Sequence, residues 1–412
     1  MKFETTQLKY LAATPITNGL GLPGEFDNPD WPRYIRTTDI AGANALREDV
    51  FASQPPEVAA KAPVRVGDIL MTAAGATIGK SVRIPEEIDA CYAGFLVRYR
   101  PNSLVDGRFV AHWMHSQHYW DQIAAGAVRS TIDNFSASKY RELRIPLPPV
   151  EEQRRIADFL DDQVARSEST LRERDGQIQK TLEGFRAFRA RMLRGPEPRL
   201  EVGGWIGEVS ESWPVRRLGA ITRIHSGAGF PHEYQGEEIG EVAFFKVGDL
   251  SVCTTRGVLE KADNWVSADV ARSLGAKVAP AGAIVFPKVG AALLTNKRAI
   301  LGAAGTFDNN VMGLEFLGGN LRYAYHLMNE IDMAPLANPG PVPSLNADAV
   351  KSLRVPWPEA EIQSAAGAQV DEASDRVHSA VAMIRAQQGF LEERKRAVIT
   401  AAVTGELDVI TA

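Results

Sequence analysis

The chain repeats itself, and that repeat limits what it can fold into more than any other feature. Leu143-Arg144-Ile145-Pro146-Leu147-Pro148 returns as Leu353-Arg354-Val355-Pro356-Trp357-Pro358, displaced by 210 positions (353 − 143). At the same displacement Glu151-x-Gln153 returns as Glu361-x-Gln363, Gly195 as Gly405, and Tyr34-Ile-Arg36-x-x-Asp39-Ile40 as Phe244-Phe-Lys246-x-x-Asp249-Leu250. Gly67-x-Ile69 and Gly75 match Gly282-x-Ile284 and Gly290 at 215. Arg108-Phe-x-x-His112-x-Met114 matches Arg322-Tyr-x-x-His326-x-Met328 at 214. Ordered blocks at nearly constant spacing identify two diverged copies of one structural unit.

Each copy opens with about 140 residues of short apolar runs broken by Gly, Pro and Asp, such as Pro63-Val-Arg-Val-Gly-Asp-Ile-Leu-Met71 and Ala281-Gly-Ala-Ile-Val-Phe-Pro287. These read as short strands and turns. Residues 108–120 and 321–329 carry helical spacing. Each copy then changes character. Residues 150–194 contain no proline, and Ile156, Leu160, Val164, Leu171, Ile178, Leu182, Phe185 and Met192 follow a three-four rhythm. From 359 towards 404, Ile362, Ala366, Ala373, Val377, Ala380, Ile384, Leu391 and Val398 do the same. The spacing predicts two long amphipathic helices with coiled-coil-like seams, roughly 60 Å each. Neither buries its stripe alone, so antiparallel pairing is expected. Gly176, Gly184, Gly367 and Gly389 mark kinks or close crossings.

The expected fold is therefore α+β: two similar mixed α/β domains joined by two long antiparallel helices in a pseudo-twofold tandem repeat. The segments are a first globular domain (1–149), a central helix (150–195), a Gly/Pro/Glu-rich linker (196–212), a second globular domain (213–358) and a C-terminal helix (359–412).

Chemistry-bearing motifs are sparse. Ala74-Gly75-Ala76-Thr77-Ile78-Gly79-Lys80-Ser81 is similar to a phosphate-binding loop, but Ala74 stands where glycine is needed. The matching stretch from Val289 loses the Gly-Lys-Ser, so a strand–turn–strand with a basic tip is expected. Asn28-Pro29-Asp30-Trp31 is similar to the Asn/Asp-Pro-Pro-Tyr/Phe loop of amino-methyltransferases, yet lacks the second proline and an upstream cofactor loop; it reads as a turn. His112, His115 and His118 share a helical side, but the second copy keeps only His326, against a metal face. Cys91 and Cys253 are the only cysteines, which fits a reducing cytoplasm and no disulfide framework. The polar start and the lack of a long apolar run give no sign of a signal peptide or membrane span.

What recurs is a set of polar and basic turn tips. In the first copy these are Arg36, Thr37 and Thr38; Thr77 and Lys80; and Arg129, Ser130 and Thr131. In the second they are Lys246, Lys288, Ser344, and Asn296-Lys297-Arg298. Arg and Lys suit phosphates and guanine edges, and Asn an adenine edge. The framework matches between copies while the tips differ, so two heads of one design would read two different sequences. The formal net charge of −5 opposes simple nucleic-acid binding. Basic residues must then be gathered on one face, or partners must supply part of the phosphate contact.

This pattern resembles the specificity subunit of type I restriction–modification enzymes over essentially the whole chain. The most specific pieces are Leu143-x-Ile145-Pro146-x-Pro148 before Glu151-x-Gln153-x-x-Ile156; Gly204-Trp205-Ile206-Gly207-Glu208-Val209 leading to Trp213; and the ending Ala401-Ala402-Val403-Thr404-Gly405-Glu406-Leu407. Ser210 departs from the usual proline, and Leu193-Arg194-Gly195 from the usual Val-Thr-Gly. The resemblance implies two target-recognition domains on a bipartite, asymmetric site in double-stranded DNA, with the helices setting the spacer. Half-sites one helical turn apart lie about 34 Å from each other, within reach of such rods. It also implies two methyltransferase subunits, one per half-site, and restriction–translocase subunits. S-adenosylmethionine would then be bound by the methyltransferase and ATP with Mg by the restriction subunit, leaving this chain non-catalytic, cytoplasmic and without a cofactor. A fused methyltransferase–nuclease or a structural coiled-coil adaptor are the competing readings.

Overall fold

A computed structural model describes residues 3–42, 44–127, 134–202, 204–338 and 340–409. The chain is α+β and divides into two compact units, Met1–Arg174 with Ala386–Ala412, and Asp175–Arg385. Both boundaries fall inside long helices, so each unit holds one head and a segment of both helices.

In the first unit Thr5–Gln7 runs antiparallel to Arg144–Pro146, closing the head just before the long helix. A four-stranded sheet follows in the order Thr17–Asn18, Leu96–Tyr99, Ile69–Thr72, Ser81–Arg83. Arg33–Ile35 pairs in parallel with Ala90–Tyr92. The second unit repeats this register. Thr5 opposite Pro146 becomes Val215 opposite Pro356, and Arg33 opposite Ala90 becomes Ala243 opposite Gly305. Its larger sheet has five strands, ordered Thr222–Ser226, Val311–Phe316, Ile284–Pro287, Ala299–Leu301, Val258–Leu259. The duplication read from isolated motifs is thus a duplication of strand pairing, displaced by the same 210 and 215 positions.

The long helices are Val150–Arg194 and Ala360–Thr404, 45 residues each, or about 68 Å. In the first unit Ile156, Ala157 and Leu160 from the start of one share the head's core with Ile399, Ala402 and Val403 from the end of the other. In the second unit Leu193 and Ala366 do the same with the roles exchanged. Within each unit the two helices are therefore antiparallel. Between these anchored ends most seam residues are only half-buried, Ile178 and Val381 excepted.

Four local expectations change. Residues 108–120 form two helices, Gly107–Trp113 and Gln117–Gly126, because Ser116 caps the second by accepting from the Tyr119 N–H. Ile362 is exposed (41%), and Gln363 takes the buried seam position instead. Gly176, Gly184 and Gly389 face open space, whereas Gly367 is a close crossing: a Cβ there would lie 2.9 Å from the Tyr323 nitrogen. The stretch read as a linker is a hairpin, Arg199–Glu201 with Glu208–Ser210, around its own core of Ile206, Val209 and Trp213.

Leu160 is fully buried in the first head's core. Leu160→Ala should cost about 2–5 kcal/mol, seen as a lowered thermal midpoint of the purified chain; an unchanged midpoint would mean that the helix does not complete that core.

Candidate nucleic-acid interface

The turn tips are built alike in both heads. Arg36 opens the short helix Thr37–Asp39, and its N–H donates to the Asp39 carboxylate at 2.9 Å. Lys246 opens Val247–Ser251, and its N–H donates to Asp249 at 2.7 Å. In each case a carboxylate holds the turn, and the basic side chain sits at its entrance.

In the first unit the structure brings two predicted tips together. The Lys80 Nζ donates to the Ile40 carbonyl at 2.7 Å, joining the turn after Ile69–Thr72 to the Arg36–Thr38 turn. Thr38 and Thr77 are exposed; Arg36, Thr37 and Lys80 are half-buried. The Arg36 guanidinium also bonds Asp39 at 3.2 Å. Arg129, Ser130 and Thr131 lie outside the described residues; Asn134, which is described, bridges Ala74.

In the second unit the corresponding turn holds a short helix, Ala291–Leu294, rather than a bare tip. Gly290 at φ +71° starts it, Val289 bridges to Ser344, and the Lys288 carbonyl accepts the Leu345 N–H at 2.8 Å, which sets the Lys288 and Ser344 segments side by side. The exposed Lys297 donates to Ser251 Oγ at 2.6 Å, linking its loop to the Lys246 turn. Lys246 itself bonds Gln235 Oε1 at 2.8 Å. Asn296, at φ +53°, accepts from Arg298 at 2.7 Å. Arg298 departs from the expected exposed tip: it is 4% exposed and donates to the Lys297 and Ile331 carbonyls at 2.8 and 3.1 Å. Burial lowers its pKa to about 10, against the opposing pull of Asp332 and Tyr325. It holds the loop on which Asn296 and Lys297 stand.

The remaining motifs take ordinary structural roles. Strand Ser81–Arg83 follows the Gly79-Lys80-Ser81 stretch, where a phosphate-binding loop would need a helix. Asn28 closes a turn by accepting the Asp30 N–H. The three histidines diverge: His112 bonds Asp161, and His118 accepts from the Trp113 indole. His115 Nε2 is sealed with no hydrogen-bond partner among the described residues. No metal-holding group of three His, Cys, Asp or Glu occurs among the described residues. Among them, too, no helix is long and apolar enough to cross a membrane.

Sequence reasoning missed how each head is fixed to its helix. Gln153 and Gln363 are buried, and their Oε1 atoms accept the backbone N–H of Asp106 and Asn320, each at 2.8 Å. Those two residues cap the head helices that begin with Gly107 and Leu321. Arg108 and His112 reach Asp161 at 3.0 and 2.7 Å. Arg322 and His326 reach Asp371 at 2.6 and 2.7 Å. Burial works against ionisation of Asp371, but the bonds from His326 and Arg322 outweigh it and hold the carboxyl well below its usual range. The available signal was a Gln and an Asp eight residues apart in both seams, at the 210 displacement.

Comparison with known proteins agrees with this geometry. The family model of the type I restriction modification DNA specificity domain matches residues 50–178. The chain is 28% identical over 137 residues to the EcoKI specificity subunit of Escherichia coli (strain K12), covering 33% of this chain and 27% of that one. It is 28% identical over 109 residues to the StySPI specificity subunit of Salmonella potsdam, covering 26% and 23%. The matched part thus spans about a quarter of these relatives' length. A chain from a structure on complex assembly and conformational transition of the type I R-M system superposes with TM-score 0.74, 15% identity and 98% coverage of both chains. The HsdS subunit from Thermoanaerobacter tengcongensis gives TM-score 0.50, 17% identity, and 98% and 97% coverage. Residues 50–178 are thus similar to the type I DNA specificity domain. The whole chain has a fold shared with type I restriction–modification proteins, the thermophilic HsdS subunit among them.

Two measurements follow. Arg298→Ala removes the donor from the buried Ile331 carbonyl and should destabilise the chain by about 1–3 kcal/mol, whereas Lys297→Ala stays within about 0.5 kcal/mol. Equal effects in thermal unfolding would contradict the distinction. His115 has its pKa lowered to about 4, by burial first and then by His112 and Lys395. The unfolded chain, with an ordinary histidine pKa of about 6.5, binds the extra proton between these values, so stability falls as pH drops from about 6.5 to 4. His115→Gln should flatten that part of the stability–pH curve; an unaltered slope would refute the assignment.

Proposed function

We propose that this chain is the DNA-reading, non-catalytic specificity subunit of a type I restriction–modification complex. The observation that carries it is the pair of heads with strand pairing in matched register and dissimilar turn tips, the first overlapping the DNA specificity domain. One scaffold bearing two sets of tips suits a bipartite, asymmetric site, one half per head. The domain limits are those of the sequence: recognition domains at 1–149 and 213–358, with the helices between and after them.

Arg36, Thr37, Thr38, Thr77, Lys80, Arg129, Ser130 and Thr131 are assigned to one half-site. Lys246, Lys288, Asn296, Lys297 and Ser344 are assigned to the other, with Arg298 bracing their loop. The long helices set the spacer and offer surface to two methyltransferase subunits, which flip and methylate adenine with S-adenosylmethionine. Restriction subunits using ATP and Mg complete the assembly, in the cytoplasm. The family model and both curated relatives, which are named as specificity subunits, support this reading.

Mapping methylated adenines in the host genome with and without this gene tests it. A bipartite motif should vanish with the gene, and replacing residues 1–149 by another such head should change one half of the motif only. A change in both halves, or methylation by the purified chain alone, would overturn the proposal. Lys288→Ala should weaken DNA binding by the complex and lower its salt slope by about one; an unchanged slope would remove Lys288 from the phosphate contacts.

A further inference from the structure

The side chains that fasten each head to its helix do more than add contacts. The apolar part of the junction, Ile156, Ala157 and Leu160 in one unit and Ala366 and Val370 in the other, is non-directional. A helix seam of this kind offers a neighbouring seat one turn away, about 5.4 Å along the axis. That step is larger than the roughly 3.4 Å between successive nucleotides of a DNA strand. The short connections Leu147–Pro149 and Trp357–Glu359 oppose a full step, but apolar packing alone leaves smaller shifts and tilts of a head on its helix without a directional restraint.

The polar contacts admit one seat. Gln153 and Gln363 are each held from both sides, accepting a head-helix N–H and donating to the Pro148 or Pro358 carbonyl at 2.8 and 2.7 Å. Two turns further on, Asp371 receives Nε and Nη2 of Arg322 at 2.8 and 2.6 Å, a fork with fixed geometry. Asp161 takes one arm of Arg108, which it shares with Asp158 at 2.7 Å. His112 and His326 complete the sets, both at 2.7 Å. A shift of the head along the helix would draw the carboxylate away from Arg and His, and the buried glutamine away from the helix N-terminus. Such ion pairs favour one arrangement over its alternatives more than they add stability.

We propose that Asp161 and Asp371 are positioning residues that lock each head at a single seat on its long helix, and so limit the complex to one spacer length. This rests on the DNA-reading role proposed above. Neither residue needs to touch DNA for this.

The test expresses wild type, Asp161→Asn and Asp371→Asn with the methyltransferase subunits in cells lacking the gene, and maps methylated adenines. Wild type should give one bipartite motif with one spacer; its absence would defeat the DNA-reading role itself, independently of the variants. Each variant should keep both half-sequences and gain methylation, on the order of tenfold, at sites whose spacer is one or two base pairs longer or shorter. Asp161→Glu, which retains the charge, should return the single spacer. Reduced methylation at the original sites with no new spacers would show a merely structural role and overturn the proposal. If Asp371→Asn yields no folded complex, Asp161→Asn decides, since the Asp161 side chain is already 38% exposed and its loss is better tolerated.

Discussion

A 45-residue amphipathic helix cannot bury its own stripe, and the arrangement of this protein follows from where that stripe is covered. Its ends are finished inside the heads. Leu160 and Val403 are as buried as any strand residue of the first core, and Val370 is equally enclosed at the other end. The middle of each helix has thinner cover, with glycines facing open space. Head and helix ends are therefore one cooperative unit, and the division of the chain inside both helices expresses this. Neither helix is a passive linker, since each supplies part of two hydrophobic cores.

The second constraint is the matched register of the heads. Strand pairing repeats in matched register where each head closes before its helix and in the parallel pair inside it. The turns built on that frame have drifted apart. One connection is a tight turn with a lysine anchored to a neighbouring carbonyl, and the other holds a short helix after the bridge between Val289 and Ser344. A rigid frame with variable loops is how one fold acquires different binding preferences.

Much of this was legible in the residues. Prolines and repeated Gly, Arg and His blocks placed the duplication, and hydrophobic rhythm placed the central helix and the start of the C-terminal one to within a residue, though the latter ends at Thr404 rather than running to 412. The misreadings have common physical causes. Ile362 was placed in the seam because hydrophobicity alone was counted, yet Gln363 has backbone partners that reward its burial. Arg298 was read as an exposed tip because arginine usually is one; the Ile331 carbonyl and the Phe286 ring, 5.2 Å away, explain its burial. Residues 196–212 were read as linker from their Gly and Pro content, though Ile206, Val209 and Trp213 make a small core there. In each case a long-range partner, invisible in one dimension, decided the outcome. The Asp161 and Asp371 contacts escaped notice for the same reason.

The central claim is that two dissimilar heads of one scaffold each engage their own stretch of DNA. Hydroxyl-radical footprinting of the complex reconstituted with its methyltransferase subunits, on a fragment carrying the host's motif, tests it most directly. The account requires two protected patches flanking a less protected spacer, with protection of one patch selectively weakened by substitutions in the head it belongs to. A single continuous patch, or loss of both patches from tip substitutions in one head, would contradict it.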